Sequence, residues 1–510
     1  MLYRYPLLAI AALVLAAATA HRAAAADTII IVTTTADLGG SCPGANCTLR
    51  AAIAYANASP SQDQIIGFNI PGSCPQTIKV FSDLPTVGDS LSIRGYTQTG
   101  GMPNTNANGD NATICIELQP ASSGSNTTNG LRFAPSDITD TFDVSGLSIG
   151  GFDRGIRIEG GNYTIGGNFI GLRANGTTHM LNAYGGILVY ASNSYYATTR
   201  RIGGSEPAQR NVISGNGTGV SLASGGGNTV EKNFIGTDRS GNVAVGNLTG
   251  IYASSLSNGI FFNTVSGNAS FGIRLENPNG SANAVDNNRI GLKNFLICFP
   301  LCAPSVYALG NGKDGVRIAE GAAGNNIAGN QIAWNDGDGI TLPDAGPQNS
   351  ISENSMHDNA GLGIDLGANG VNTNNNDATE PATSPNRLLN YPVLNLAGGG
   401  DRSGTVYGYL QSTNSHYTIE FYADDIADPS GHGEGYDYLG NVEIDITDAP
   451  AGDNGQAVFA APISAGSSLV GRHISAIARD ANSNTSEFSA NKVYVFIDSI
   501  FANGFEPTAE

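Results

Sequence analysis

The sequence predicts an all-β chain, a parallel β-helix followed by an antiparallel β-sandwich, and three observations carry that expectation. The hexapeptide Asn-x-[Ile/Val]-x-x-Asn recurs at Asn211 to Asn216, Asn228 to Asn233, Asn263 to Asn268, Asn283 to Asn288, Asn325 to Asn330 and Asn349 to Asn354. A second element, Gly-[Ile/Val]-x-aliphatic, begins at Gly155, Gly186, Gly219, Gly250, Gly272, Gly315, Gly339 and Gly363. Beyond Val393 the pattern changes to alternating apolar and polar segments separated by Gly/Asp/Asn-rich turns, the signature of antiparallel strands.

The 510 residues carry a formal charge of −19, and 40% of them are hydrophobic, enough to bury a long core. So acidic a chain without a Lys/Arg cluster is a poor partner for nucleic acid or an anionic membrane. At the N-terminus Arg4, an apolar run from Leu7 to Ala18 and the small residues up to Ala26 have the order of a secretory signal peptide, expected to span residues 1–26. The run is too short to span a bilayer, and no later stretch is long enough. The mature product is therefore expected to be exported, with no membrane span. In an exported chain the six cysteines suggest disulfides, and sequence neighbours give Cys42–Cys47, Cys74–Cys115 and Cys298–Cys302 out of fifteen possible connectivities.

Residues 27–390 are assigned to the solenoid. Residues 27–35 read as a first strand. Leu49, Ala52, Ile53 and Ala56 then share one helical face behind Thr48, an N-capping residue, so an amphipathic helix is expected to cover the open strand edges at this end. In the repeats, the central Ile or Val of each hexapeptide and the aliphatic residues of Gly-Ile-x-Leu alternate with polar neighbours and are expected to point inward. The shortest intervals between glycine elements, 22–24 residues, define the bare coil. Longer intervals place inserted loops near Arg173–Met180, Thr237–Asn247 and Leu292–Asn311. The paired asparagines are expected to take left-handed turn conformations and to hydrogen-bond the same residue one coil above and below. Prolines 381, 385 and 392 end the coil signature, a sandwich follows over 391–495, and residues 496–510 form a tail.

The segment Cys47-Thr48-Leu49-Arg50-Ala51-Ala52-Ile53 resembles the CSLREA element near the N-terminus of exported bacterial right-handed parallel β-helix proteins, with Thr for Ser and Ala for Glu. Ile202-Gly203-Gly204, Arg210 to Asn216 and Asn233-Phe234-Ile235-Gly236-Thr237-Asp238 resemble the body of that group. The resemblance implies a right-handed solenoid at the bacterial surface or beyond it, and implies nothing about activity. Ala478 to Ser489 resembles the last hairpin of Ig-like modules in bacterial surface proteins, and Phe496 to Glu506 resembles a terminal element of exported Gram-negative proteins.

A catalytic β-helix would need carboxylates stacked on neighbouring coils. Asp314, Asp336, Asp338, Asp358 and Asp365, with His357 and Lys313 nearby, form the candidate set, and Asp314 and Asp338 stand 24 residues apart before equivalent glycines. Asp before such a glycine is also ordinary turn chemistry. In the sandwich, Asp424, Asp428, Glu434 and Asp437 make an oxygen-rich set of the kind that holds calcium, set against a solvated hairpin loop. No cofactor is otherwise expected. The first reading is a non-enzymatic protein acting in adhesion or carbohydrate binding at the cell surface; the alternative is a polysaccharide lyase, hydrolase or epimerase using carboxylates on the helix face, and a third is a mainly structural or matrix protein with no ligand pocket.

Overall fold

A computed structural model describes residues 28–59, 64–122, 128–191, 199–294, 304–375, 383–450 and 453–497. The expected signal peptide, Cys298, Cys302 and the tail from residue 498 lie outside them.

The repeat coils into three parallel sheets. The first runs from Thr28–Val32 to Ser350–Ser352, the second from Gln76–Val80 to Ser355–His357, and the third from Asn129–Phe133 to Ile364–Leu366. Register is held by inward aliphatic columns, because a slip of one residue would turn every one of these side chains to water. The first sheet stacks Ile30, Ile66, Ile93, Val144, Ile165, Ile202, Val230, Ile260, Val285, Ile327 and Ile351. None of the eleven is more than 1% exposed. The second stacks Ile78 through Ile213 and Val265 to Met356, and the third stacks Leu131, Ile156, Ile187, Val220 and so on to Ile364. All central residues of the six hexapeptides are buried in these columns.

The asparagines do bond one another across coils, in three ladders instead of one repeated pair. Asn168, Asn211, Asn233, Asn263, Asn288, Asn330 and Asn354 form one. Asn182, Asn216, Asn247, Asn268, Asn311, Asn335 and Asn359 form the next. Asn228, Asn258, Asn283, Asn325 and Asn349 form the third. The six hexapeptides therefore sit in two registers. Those at Asn211 and Asn263 flank second-sheet strands, and the other four flank first-sheet strands. In every rung but Asn182–Asn216 one Oδ1 accepts both the backbone N–H and the amide N–H of the asparagine before it, as Asn263 does from Asn233 at 2.9 and 3.1 Å.

The left-handed residue is not the asparagine, contrary to expectation, but its N-terminal neighbour. Lys232, Ser257, Phe262, Ala282, Asn287, Trp334, Gln348, Glu353 and Asp358 all have φ between 53° and 66°. That residue turns the corner with its side chain outward, and the following asparagine, fully buried, ties the corner to the next coil. Such a backbone costs roughly 1–2 kcal/mol for a residue with a Cβ, which the two or three hydrogen bonds of each rung offset.

Each end of the stack is covered. Leu49–Ala58 is the expected helix, with Thr48 Oγ1 accepting from the Ala51 N–H and Leu49, Ala52, Ile53 and Ala56 buried against the first coil. Its Arg50 forms a two-point ion pair with Asp37. Disulfides Cys42–Cys47 and Cys74–Cys115 are formed. The three expected insertions leave the stack at one corner, where antiparallel bridges join Leu172 to His179, Thr237 to Ala244 and Leu292 to Ala308. Among the described residues no helix is long and apolar enough to cross a membrane.

At the far end two four-stranded sheets form the sandwich. One holds Gly455–Ser464, Ser403–Ser412, Val393–Gly399 and Val495–Phe496; the other holds Asp437–Ile446, Ser415–Asp424, His473–Asp480 and Lys492–Val493. Val393–Gly399 had no sequence expectation because its Leu-Asn-Leu-Ala-Gly-Gly run alternates weakly. The sequence pattern predicts one strand over Phe488–Val495, but only short pieces form at 492–493 and 495–496, because the preceding residues are used to cap the solenoid. Tyr422, Ile477 and Phe488 extend the solenoid core into the sandwich.

We expect Asn263→Ala, which removes the acceptor of two buried N–H groups on Asn233, to cost at least ~2 kcal/mol. Asn279→Ala, at an exposed turn, should change stability by less than ~0.5 kcal/mol. Chemical denaturation of both variants is the check, and equal midpoints would remove the ladders from any stabilising role.

Candidate functional site

The last coil presents backbone donors with no further coil to receive them, and the sandwich supplies acceptors in its place. Asn386 Oδ1 takes the Asn349 N–H at 2.9 Å, continuing the third ladder by one rung. Glu434 Oε1 takes the Asn359 N–H at 3.1 Å, ending the second ladder. Glu487 Oε1 takes the Leu366 N–H, Thr485 Oγ1 the Ile351 N–H, and Glu420 Oε2 the Glu353 N–H. The acids that a β-sandwich would ordinarily leave in water are thus buried at the junction.

The seam between the two folds opens into a cleft of ≈ 440 Å³. Trp334 and Asp358 enter it from equivalent corners of adjacent coils, both in the left-handed conformation that turns a side chain outward. His357 lies between them and the sandwich. Its ring stands edge-on to Tyr436 at 4.4 Å between centroids and to Trp334 at 6.5 Å, and its Nδ1 lies 2.8 Å from Asp358 Oδ2. Opposite stand Asp424 and Glu434. The Trp334 indole N–H is buried without a hydrogen-bond partner.

Burial dominates the electrostatics here. It pushes the Glu434 carboxyl up to about 8, helped by the negative charges of Asp428 and Asp424, while the Asn359 N–H pulls weakly the other way. It pushes Asp424 up to about 7 against the Tyr436 and Gly435 N–H groups that bond its carboxylate. At neutral pH Glu434 therefore carries a proton, while the exposed Asp358 stands beside an imidazole.

The sequence candidates divide among three places. Asp314, Asp338 and Asp365 share a corner and strand of the third sheet within electrostatic reach of one another. There Asp314 accepts the Asp338 N–H at 3.2 Å and Asp338 accepts the Leu362 N–H at 2.8 Å, so each acid ties its coil to the next. Burial raises both, Asp338 to about 6. Asp365, itself buried, accepts from the Asn369 and Gly370 N–H groups. Asp336 is exposed in a turn, and Lys313 lies over the Phe271 ring. Asp358 and His357 instead join Asp424, Asp428 and Glu434, which the sequence had placed on a different module. Asp437 leaves that set, held 2.8 Å from Arg472, whose Nε lies 2.7 Å from Asp425 Oδ1. Among the described residues no three His, Cys, Asp or Glu side chains are disposed to hold a metal ion. Sequence reasoning missed Trp334 and Tyr436. Trp334 carried one signal, the chain's single tryptophan directly before a ladder asparagine, at the corner position that points outward.

Two raised acids make stability depend on pH in a defined sense. Between about pH 4 and 8 the folded protein holds protons on Asp424 and Glu434 that the unfolded chain releases, so stability is greatest in acid and falls as pH rises through this window. Melting temperatures at pH 5 and pH 8.5 should differ in that direction for these groups. The combination of Glu434→Gln with Asp424→Asn should narrow the gap; an unchanged gap would show that these carboxyls titrate normally.

No curated protein sequence matches the chain. Among solved structures it is similar to the A-module of the Azotobacter vinelandii mannuronan C-5 epimerase AlgE6, at 15% identity over 62% of this chain and 74% of that one, with a TM-score of 0.33. It is also similar to the enzymatically active domain of bacteriophage CBA120 tailspike protein 2, at 11% identity over 91% and 76%, TM-score 0.32. The alginate lyase of Paenibacillus sp. str. FPU-7 aligns at 12% identity over 68% and 99%, TM-score 0.29. Residues 241–400, the later coils through the first sandwich strand, match the family model for right-handed beta helix regions.

Proposed function

We propose that this is an exported, polysaccharide-acting enzyme whose working site is the cleft between the last coils and the sandwich. The observation that carries the reading is the pairing, in one cleft, of a carboxyl protonated at neutral pH with an ionisable Asp–His pair between aromatic walls. Trp334 and Tyr436 offer the flat apolar faces on which a pyranose ring rests.

Hydrolysis suits this set of groups better than elimination or epimerisation. Those reactions act beside a sugar carboxylate, whose charge has to be neutralised, and among the described residues the cleft is lined by acids and rings without Lys or Arg. Hydrolysis needs an acid and a base. Glu434 gives its proton to the glycosidic oxygen as the bond to the anomeric carbon breaks. The Asp358–His357 pair takes a proton from the water whose oxygen forms the new bond to that carbon. The negative surroundings favour a neutral glycan. Two disulfides among the described residues suit an oxidising compartment, in keeping with export.

The test is release of reducing ends from a panel of neutral polysaccharides. We expect wild-type activity to decline above pH 8 as Glu434 ionises, and Glu434→Gln, which keeps an acceptor for the Asn359 N–H, to lose about 10²–10⁴-fold. Asp358→Asn should lose activity with an unaltered melting temperature. Binding without any product would replace this reading with the non-enzymatic one, carbohydrate binding at the cell surface, and full activity in Glu434→Gln would remove Glu434 from the role of acid.

A further inference from the structure

The outward column of the third sheet differs from the rest of this acidic surface. Over the first seven coils it reads, in register, Arg132, Arg157, Leu188, Ser221, Tyr252, Arg274 and Arg317, one residue per coil, and the buried Thr341 and Asp365 end it. Cations gather in two groups along it. At one, Arg132 and Arg157 share Glu159, and Arg154 lies over the exposed ring of Tyr184 at 5.4 Å. At the other, Arg274 and Arg317 share Glu276, and Arg274, Arg317 and Lys313 surround the Phe271 ring at 5.1–5.4 Å. Asp314 lies at the edge of this second group. Between the groups the floor is uncharged: Leu188, Ser221 and Tyr252. Four coil steps separate Arg157 from Arg274, about 19 Å at the spacing of parallel strands.

We infer that this face binds a linear polysaccharide in which acidic sugars are separated by neutral ones. Each carboxylate would sit on one cationic group, and the rings between them would lie along Leu188, Ser221 and Tyr252. The shared glutamates hold the guanidinium groups rigid, and each takes up one positive charge of its pair, so both groups remain cationic. Charge complementarity selects the occupant. A polynucleotide carries a phosphate at every step and gains affinity from matching cations along its whole length, which the central coils do not supply. The cleft at the junction has the opposite charge, so the two surfaces suit different glycans: the face anchors the protein to an acidic matrix, and the cleft acts on neutral chains. This surface rests on none of the cleft residues, and each reading can fail without the other.

The experiment uses the full chain with three immobilised probes: hyaluronate, in which uronate and neutral sugars alternate, neutral dextran, and a single-stranded oligonucleotide of similar length. Hyaluronate should be bound at low ionic strength and released as salt rises. The double variant Arg154→Gln/Lys313→Gln should bind about tenfold more weakly at an unchanged melting temperature, since among the described residues neither side chain holds a carboxylate in a salt bridge, unlike the other four. Glu434→Gln should bind as wild type does, which separates this face from the cleft. Absence of hyaluronate binding at low salt, equal retention on dextran, tighter binding of the oligonucleotide, or a double variant that binds as wild type would each overturn the inference.

Discussion

Every coil of this molecule hands its hydrogen bonds to the next one. A parallel stack satisfies its interior N–H and C=O groups coil by coil, and the buried asparagines repeat the arrangement in side-chain form, an Oδ1 taking two donors from its neighbour in all but one rung. Such an arrangement has no natural end. Whatever terminates it must present acceptors at the same places and hide the open strand edges, or the end becomes a template for further chains. Most of what distinguishes the molecule follows from how its two ends meet that demand.

At the N-terminal end the answer is a short amphipathic helix laid over the first coil, pinned by Arg50 and Asp37. At the other end it is a β-sandwich that imitates a coil. Asn386 stands in as one more ladder residue, Glu434 replaces another, and Thr485 and Glu487 take the N–H groups of the last strands. Carboxylates are strong acceptors of backbone N–H groups, but burying them away from cations raises their affinity for protons. The end cap therefore creates protonatable acids at the seam as a by-product of closing the stack. There the outward corner residues Trp334 and Asp358 meet them, and the proposed chemistry uses a carboxyl whose first task is structural.

The repeat leaves its outer face free to vary. Inward positions are mostly Ile, Val or Leu and corners Asn, whereas the outward column of the third sheet runs through Arg, Leu, Ser and Tyr. A stack with a fixed rise converts residues far apart in sequence, such as Arg157 and Arg274, into neighbours at set distances along one line. Surfaces for long, regular ligands arise readily on such a scaffold.

The sequence by itself determined the solenoid, because its causes are local and repeated: alternation buries Ile213 or Val230, a capping threonine precedes one apolar helical face, and asparagines recur at coil intervals. It determined less about the corners. Asn-x-[Ile/Val]-x-x-Asn reads identically whether it flanks a first-sheet or a second-sheet strand, since both corners obey the same chemistry, and only the three-dimensional path separates the three ladders. The candidate site was legible in fragments. Asp358 and His357 were visible on one module and Asp424 and Glu434 on another, but nothing in the spacing said that they share a cleft, whereas Asp314 and Asp338, which the spacing did align, bond the next coil's N–H groups. Tertiary structure decided this because proton affinity, ring stacking and cleft shape depend on contacts between segments some 70 residues apart, such as Glu434 with Asn359, and no local pattern encodes which end of a stack a distant sheet will cover.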